Sequence, residues 1–155
     1  MIFVGVDPGK SGGFAVIGKT ENGTTVDVKP WDDKAFAIRM SMLTLSGDSI
    51  VVAVEKVTSR TGQGVRSMFT FGKAAGYIEG VLTALDIPYQ LVPPVKWKKE
   101  FSLIGQDKQA SIDACKRLFP RLELKRTEKC TTDSDGMAES ALLALYAMRH
   151  FGGML

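Results

Sequence analysis

The chain has 155 residues, 45 % of them apolar, with 20 Lys and Arg against 17 Asp and Glu. That is room for one domain with a real core and too little for two of ordinary size, so residues 1–155 are read as one domain. No run approaches the roughly 18 to 20 apolar residues of a membrane span, Met1 leads into a strand-like stretch without a basic leader, and a soluble, cytoplasmic protein with no membrane partner is expected.

In chain order, IFVGV at 2–6 reads as a central strand, with Asp7 at its end and two glycine clusters behind it. GGFAVI at 12–17 and TTVDV at 24–28 follow through the turn-rich KTENG, and such short connections predict an antiparallel meander. Asp32 to about Leu45 is predicted helical, with Phe36, Met40 and Leu43 on one face. IVVAVE at 50–55 is apolar without alternation up to Glu55, which predicts a strand buried on both sides and parallel to its neighbour. A loop, SRTGQG at 59–64, then opens a long helix over roughly 65–85. On it Met68, Gly72, Gly76 and Gly80 recur every four residues, and three mid-helix glycines on one stripe imply close approach of another backbone, either the sheet or a second subunit.

IPYQLVPP at 87–94 gives a fifth strand, and a short turn or helix carries Lys96, Trp97, Lys98 and Lys99. A helix from GQDKQ at 105–109 to about Phe119 places Lys108 on the face of Ile112 and Cys115. RLELKRTEKCTT at 121–132 reads as an exposed connection, and a last helix runs from about Asp133 to Phe151, with Thr132, Asp133 and Asp135 as its starting residues. The expected fold is α/β: a mixed five-stranded sheet, three antiparallel strands then two parallel, flanked by helices.

Charge is uneven along this order. Residues 96–129 hold 10 basic and 5 acidic side chains, whereas the last 26 residues hold 1 basic and 3 acidic. A basic segment beside acids suits an enzyme that handles nucleic acid. Cys115 and Cys130 lack zinc-knuckle spacing, and the single histidine, His150, argues against a histidine-based nucleophile system.

The acids carry the chemistry. Adjacent parallel strands bring Asp7 and Glu55 to one sheet edge, and Asp135 and Glu139, four apart on a helix, look along one side. Four converging carboxylates repel by about 4 kcal/mol per close pair at an effective dielectric near 20, so they take up protons or hold cations. Hard oxygen ligands suit Mg²⁺ or Mn²⁺, and two such ions can clamp the attacking and leaving oxygens of a phosphodiester. Lys108 approaches from the rim. Lys96, Lys98 and Lys99 form a phosphate rail, Arg60, Arg66 and Lys73 flank the glycine loop, and Met68, Phe69 and Phe71 offer an apolar wedge suited to branched or distorted DNA.

MIFVGVDPGKSGGFAVI, IVVAVEKV, GQGVRSMFTFGKAAGYIEGVL, PPVKWKKEFSLIGQDKQAS and SDGMAESALLAL together resemble the RuvC-type Holliday junction resolvases, most of all their compact phage-encoded members. The resemblance implies a ribonuclease H-like fold, a homodimer and metal-dependent paired nicking of four-way DNA junctions that leaves 5′-phosphate and 3′-hydroxyl ends. It matches Asp7, Glu55, Asp135 and Glu139 to the family's metal-binding acids and Lys108 to its basic residue near the cleaved phosphate. The bacterial members commonly place the last two acids three apart with aspartate second, so Asp133 stands as an alternative to Asp135. The competing readings are another ribonuclease H-like nuclease acting on flaps or RNA, and a dimer that binds branched DNA without cutting it.

Overall fold

The two most continuous apolar runs lie side by side at the centre of a five-stranded sheet. The chain is described by a computed structural model over residues 1–21, 23–56 and 64–152. The strands are β1 (Ile2–Asp7), β2 (Gly13–Thr20), β3 (Gly23–Pro30), β4 (Ile50–Glu55) and β5 (Tyr89–Val92), in spatial order β3-β2-β1-β4-β5. The first three form the antiparallel meander, β4 runs parallel to β1, and β5 runs parallel to β4. The helices are α1 (Asp33–Thr44), α2 (Val65–Ala84), α3 (Pro94–Glu100), α4 (Lys108–Leu118) and α5 (Asp135–His150). This is the mixed α/β sheet of a ribonuclease H-like fold.

Strand side chains alternate between faces, and here they feed two separate cores. Phe3 of β1 and Val51 and Ala53 of β4 pack with Trp97, Ile112 and the long apolar face of α5. Ile2, Val4 and Val6, with Ile50, Val52 and Val54, pack instead against Phe36 and Met40 of α1 and Ile78 and Leu82 of α2. Gly5 lies on the α5 side, and the absence of a side chain there lets α5 lie against the strand. A β-carbon at Gly5 would stand 2.2 Å from the Ser140 carbonyl oxygen and from the Ala144 nitrogen.

Several local readings change. β5 is shorter than the apolar pattern because Pro94 opens α3. Gly105 takes a left-handed φ of 72°, so α4 starts later than expected, with the Asp107 side chain accepting from the Ala110 N–H at 3.1 Å. The cap of α5 is Ser134, whose hydroxyl accepts from the Met137 N–H at 3.4 Å, and not Thr132 or the acids around it. The 121–132 connection is not simply exposed: Leu124 is buried and its carbonyl accepts from the Ser134 N–H at 2.9 Å.

The glycine stripe of α2 also finds no neighbour in the sheet. A β-carbon at Gly72, Gly76 or Gly80 would meet no described atom of the chain within 4 Å. α2 buries only Ile78 and Leu82, both in its C-terminal half. Both cysteines are free thiols; burial pushes Cys115 up to about 12, while hydrogen bonding from Thr127 draws Cys130 down. Among the described residues no helix is long and apolar enough to cross a membrane.

Candidate metal centre

The alternation that builds the cores also aims the acids. Asp7 shares the parity of Phe3 and Gly5, and Glu55 that of Val51 and Ala53, so both belong to the sheet face that α5 covers. The parallel register pairs Val6 with Val54 and therefore carries Asp7 to Glu55 one residue further on. α5 crosses the sheet at Gly5 and sets Glu139 over this edge.

Asp7, Glu55 and Glu139 each bring a carboxylate oxygen within 4.8 Å of the other two. Burial first, then the charges of Glu55, Glu139 and Asp135, push the Asp7 carboxyl well above the usual carboxylate range; Lys98 pulls it the other way. Glu139, with its side chain only 13 % exposed, is fixed from two sides: the Ser111 hydroxyl donates to its Oε1 at 3.0 Å, and Lys98 Nζ lies 3.0 Å from the same oxygen. Asp135 stands one helical turn before Glu139 and pairs with Lys108 at 2.7 Å. Its hydrogen bond and charge hold the Lys108 ammonium above its ordinary range, although the Lys108 side chain is 80 % exposed at the rim. Asp133 is turned elsewhere, into an ion pair with Lys116 of α4.

Four carboxylates and two ammonium groups thus gather at one edge of the sheet. An all-oxygen donor set on hydrogen-bonded strands and a packed helix fits a hard divalent cation.

The same architecture is found in solved structures. Thermus thermophilus RuvC aligns with a TM-score of 0.56 at 15 % identity, covering 96 % of this chain and 96 % of that one. T. thermophilus RuvC in complex with Holliday junction substrate aligns at 0.62 and 16 % identity, over 98 % and 97 %. The yeast mitochondrial Holliday junction resolvase Ydc2 aligns at 0.55 and 13 %, over 94 % of this chain and 77 % of that one. This is the RuvC fold. No family model matches the sequence, and no curated protein matches it.

Next to Asp135 this RuvC fold opens a cleft of about 1250 Å³ between the N-terminal half of α2 and the segment before α5. Arg66 and Lys73 line its α2 wall, Gly9 and Ser11 lie at the turn after β1, and Arg126 and Asp135 line the opposite side. Phe69 does not line the cleft but is 74 % exposed on α2. The three lysines of α3 divide: Lys96 and Lys99 are exposed, whereas Lys98 turns to Glu139 and lies 5.1 Å from the centre of the Trp97 ring. Trp97 itself is fully buried, which makes it the anchor of α3. Arg60 lies outside the described residues. Sequence reasoning missed Ser111 and Arg126; a buried serine on an amphipathic helix was the only signal for the first, and the second carried none.

Proposed function

We propose that the chain is a Mg²⁺- or Mn²⁺-dependent endonuclease that cuts branched DNA, four-way junctions above all, by paired nicks leaving 5′-phosphate and 3′-hydroxyl ends. The observation that carries this reading is the convergence of Asp7, Glu55 and Glu139 within 4.8 Å, with Asp135 close enough to raise the Asp7 carboxyl and itself lining a cleft that also holds Arg66, Lys73 and Arg126. These four acids hold the cations, two ions per site. Bound there, such ions activate water and neutralise charge at the scissile phosphate.

The remaining roles belong to the protein's own side chains. Ser111 and Lys98 keep Glu139 oriented. Lys108, paired with Asp135 at the rim, is the group assigned to the scissile phosphate or its leaving oxygen, a role its 80 % exposed side chain supports. Arg66 and Lys73 bind backbone phosphates in the cleft, Arg60, outside the described residues, is assigned to DNA contact from its sequence position alone, and Lys96 and Lys99 form an outer rail. Phe69 is the apolar wedge, and unstacking costs least at a branch point.

The test is a comparison of cleavage on a four-way junction, a flap and an RNA–DNA hybrid of equal length, each across a Mg²⁺ titration. The junction is expected to be cut fastest, in symmetric pairs and only with the cation. Preference for the hybrid moves the chain to RNA processing, and tight junction binding without any nick makes it an architectural protein.

The open glycine stripe supports a homodimer assembled through α2. Gly76→Ala is expected to stabilise the isolated chain by up to about 1 kcal/mol, because the helix gains propensity where no described atom is close. It is also expected to weaken self-association about tenfold or more by overpacking a helix–helix contact. Sedimentation equilibrium reads both species; an unchanged association constant removes this stripe from the dimer.

A further inference from the structure

The connection between α4 and α5 is tied to the body by more than its buried leucine. Arg126 reaches across it to the turn after β1, where its Nη1 donates to the Ser11 carbonyl at 2.9 Å and the Gly12 carbonyl at 3.0 Å. Its Nη2 donates to the Lys10 carbonyl at 2.9 Å. One planar fork therefore gathers three consecutive carbonyls, a geometry a lysine ammonium cannot reproduce.

That turn is also where the two acid-bearing elements meet. A β-carbon at Gly12 would lie 2.0 Å from the Asp7 carbonyl oxygen, and one at Gly136 would lie 2.2 Å from the Ser11 carbonyl oxygen. The turn is thus folded back on the end of β1 and pressed against the first turn of α5. On its other flank the 124–134 segment is held by the Ser134 N–H to the Leu124 carbonyl and by Asp133 to Lys116. Arg126 closes the bracket, joining the segment that delivers Ser134 and Asp135 to the turn that begins at Asp7.

We infer that Arg126 is a positioning residue for the metal centre: it fixes the spacing between Asp7 and the acids of α5 and thereby sets cation affinity. The inference rests on the proposed metal-binding role of those acids. Its alternative is direct contact with a DNA phosphate, since Arg126 also lines the cleft. Three carbonyls already occupy its fork, which favours positioning.

The experiment uses the full chain, wild type against Arg126→Lys and Arg126→Ala, with three measurements: Mn²⁺ affinity by calorimetry without DNA, four-way-junction affinity in EDTA, and thermal midpoint. Positioning predicts about a tenfold loss of Mn²⁺ affinity in both variants, in the range typical of residues that orient metal ligands. Junction affinity in EDTA stays within about twofold for Arg126→Lys, which keeps the charge. With Mn²⁺ saturating, kcat falls more than KM rises. Unchanged Mn²⁺ affinity overturns the inference, and a loss confined to junction affinity reassigns Arg126 to phosphate contact. Unfolding of both variants reduces it to a structural strut and equally overturns the inference. A wild-type chain that binds no Mn²⁺ refutes the metal centre itself, a result distinct from a wild type that binds while Arg126→Lys binds equally well.

Discussion

Asp7→Asn is expected to cut nicking of a four-way junction by about 10³-fold, the rate equivalent of about 4 kcal/mol of charge stabilisation. Junction affinity measured in EDTA should stay nearly unchanged. The substitution keeps the shape of the side chain and removes one charge from a group of four acids, three of them within 4.8 Å of one another. It therefore carries a second expectation that a damaged fold could not meet. In EDTA the variant should melt above the wild type, by about 2–4 °C for each kcal/mol of relieved repulsion in a chain of this size. Added Mg²⁺ should then raise the melting point of the wild type and not of the variant, because only the former retains the full ligand set. Joint loss of binding and cutting, with a lowered melting point, would place Asp7 in the framework and not in the chemistry.

Gly5→Ala tests how the centre is assembled. Its new methyl would lie 2.2 Å from two backbone atoms of α5, neither of which can swing aside as a side-chain tip would. The helix must lift from the sheet, and overpacking of this kind costs about 1–3 kcal/mol or more. A fall in melting point of about 2–12 °C is expected. Since the same helix holds Glu139 over Asp7 and Glu55, the Mg²⁺ needed for half-maximal cleavage should rise even at temperatures where the variant is folded. Melting and cleavage both at wild-type level would mean that α5 does not rest on β1 at this point.

How much of this was legible beforehand differs by residue for physical reasons. Asp7 and Glu55 end two apolar runs, and the period-two rule with parallel pairing is enough to bring them to one edge of the sheet. Helical spacing puts Asp135 and Glu139 on one side of α5, but it takes the packing of α5 on β1 at Gly5 to bring Glu139 to the strand acids. The lysines of α3 were less transparent: three cations around one tryptophan look equivalent in sequence, and only the burial of Trp97 decides that Lys98 turns inward while Lys96 and Lys99 face water. Arg126 was opaque, because its partners are backbone carbonyls 114 to 116 residues away and carbonyls have no sequence signature. The glycines of α2 announced that something must lie close without saying whose backbone it is; a β-carbon on any of the three would meet no described atom within 4 Å.

The two cores on opposite faces of the sheet have a practical consequence for engineering. The exposed arm of α2 is rooted in one core by Ile78 and Leu82, whereas the acids of α5 rest on the other. Grafting a different α2 arm, with Phe71 kept against Gly9, is therefore expected to leave the α5 side of the sheet in place, so that under the proposed function the preferred DNA shape could be redesigned separately from strand cutting.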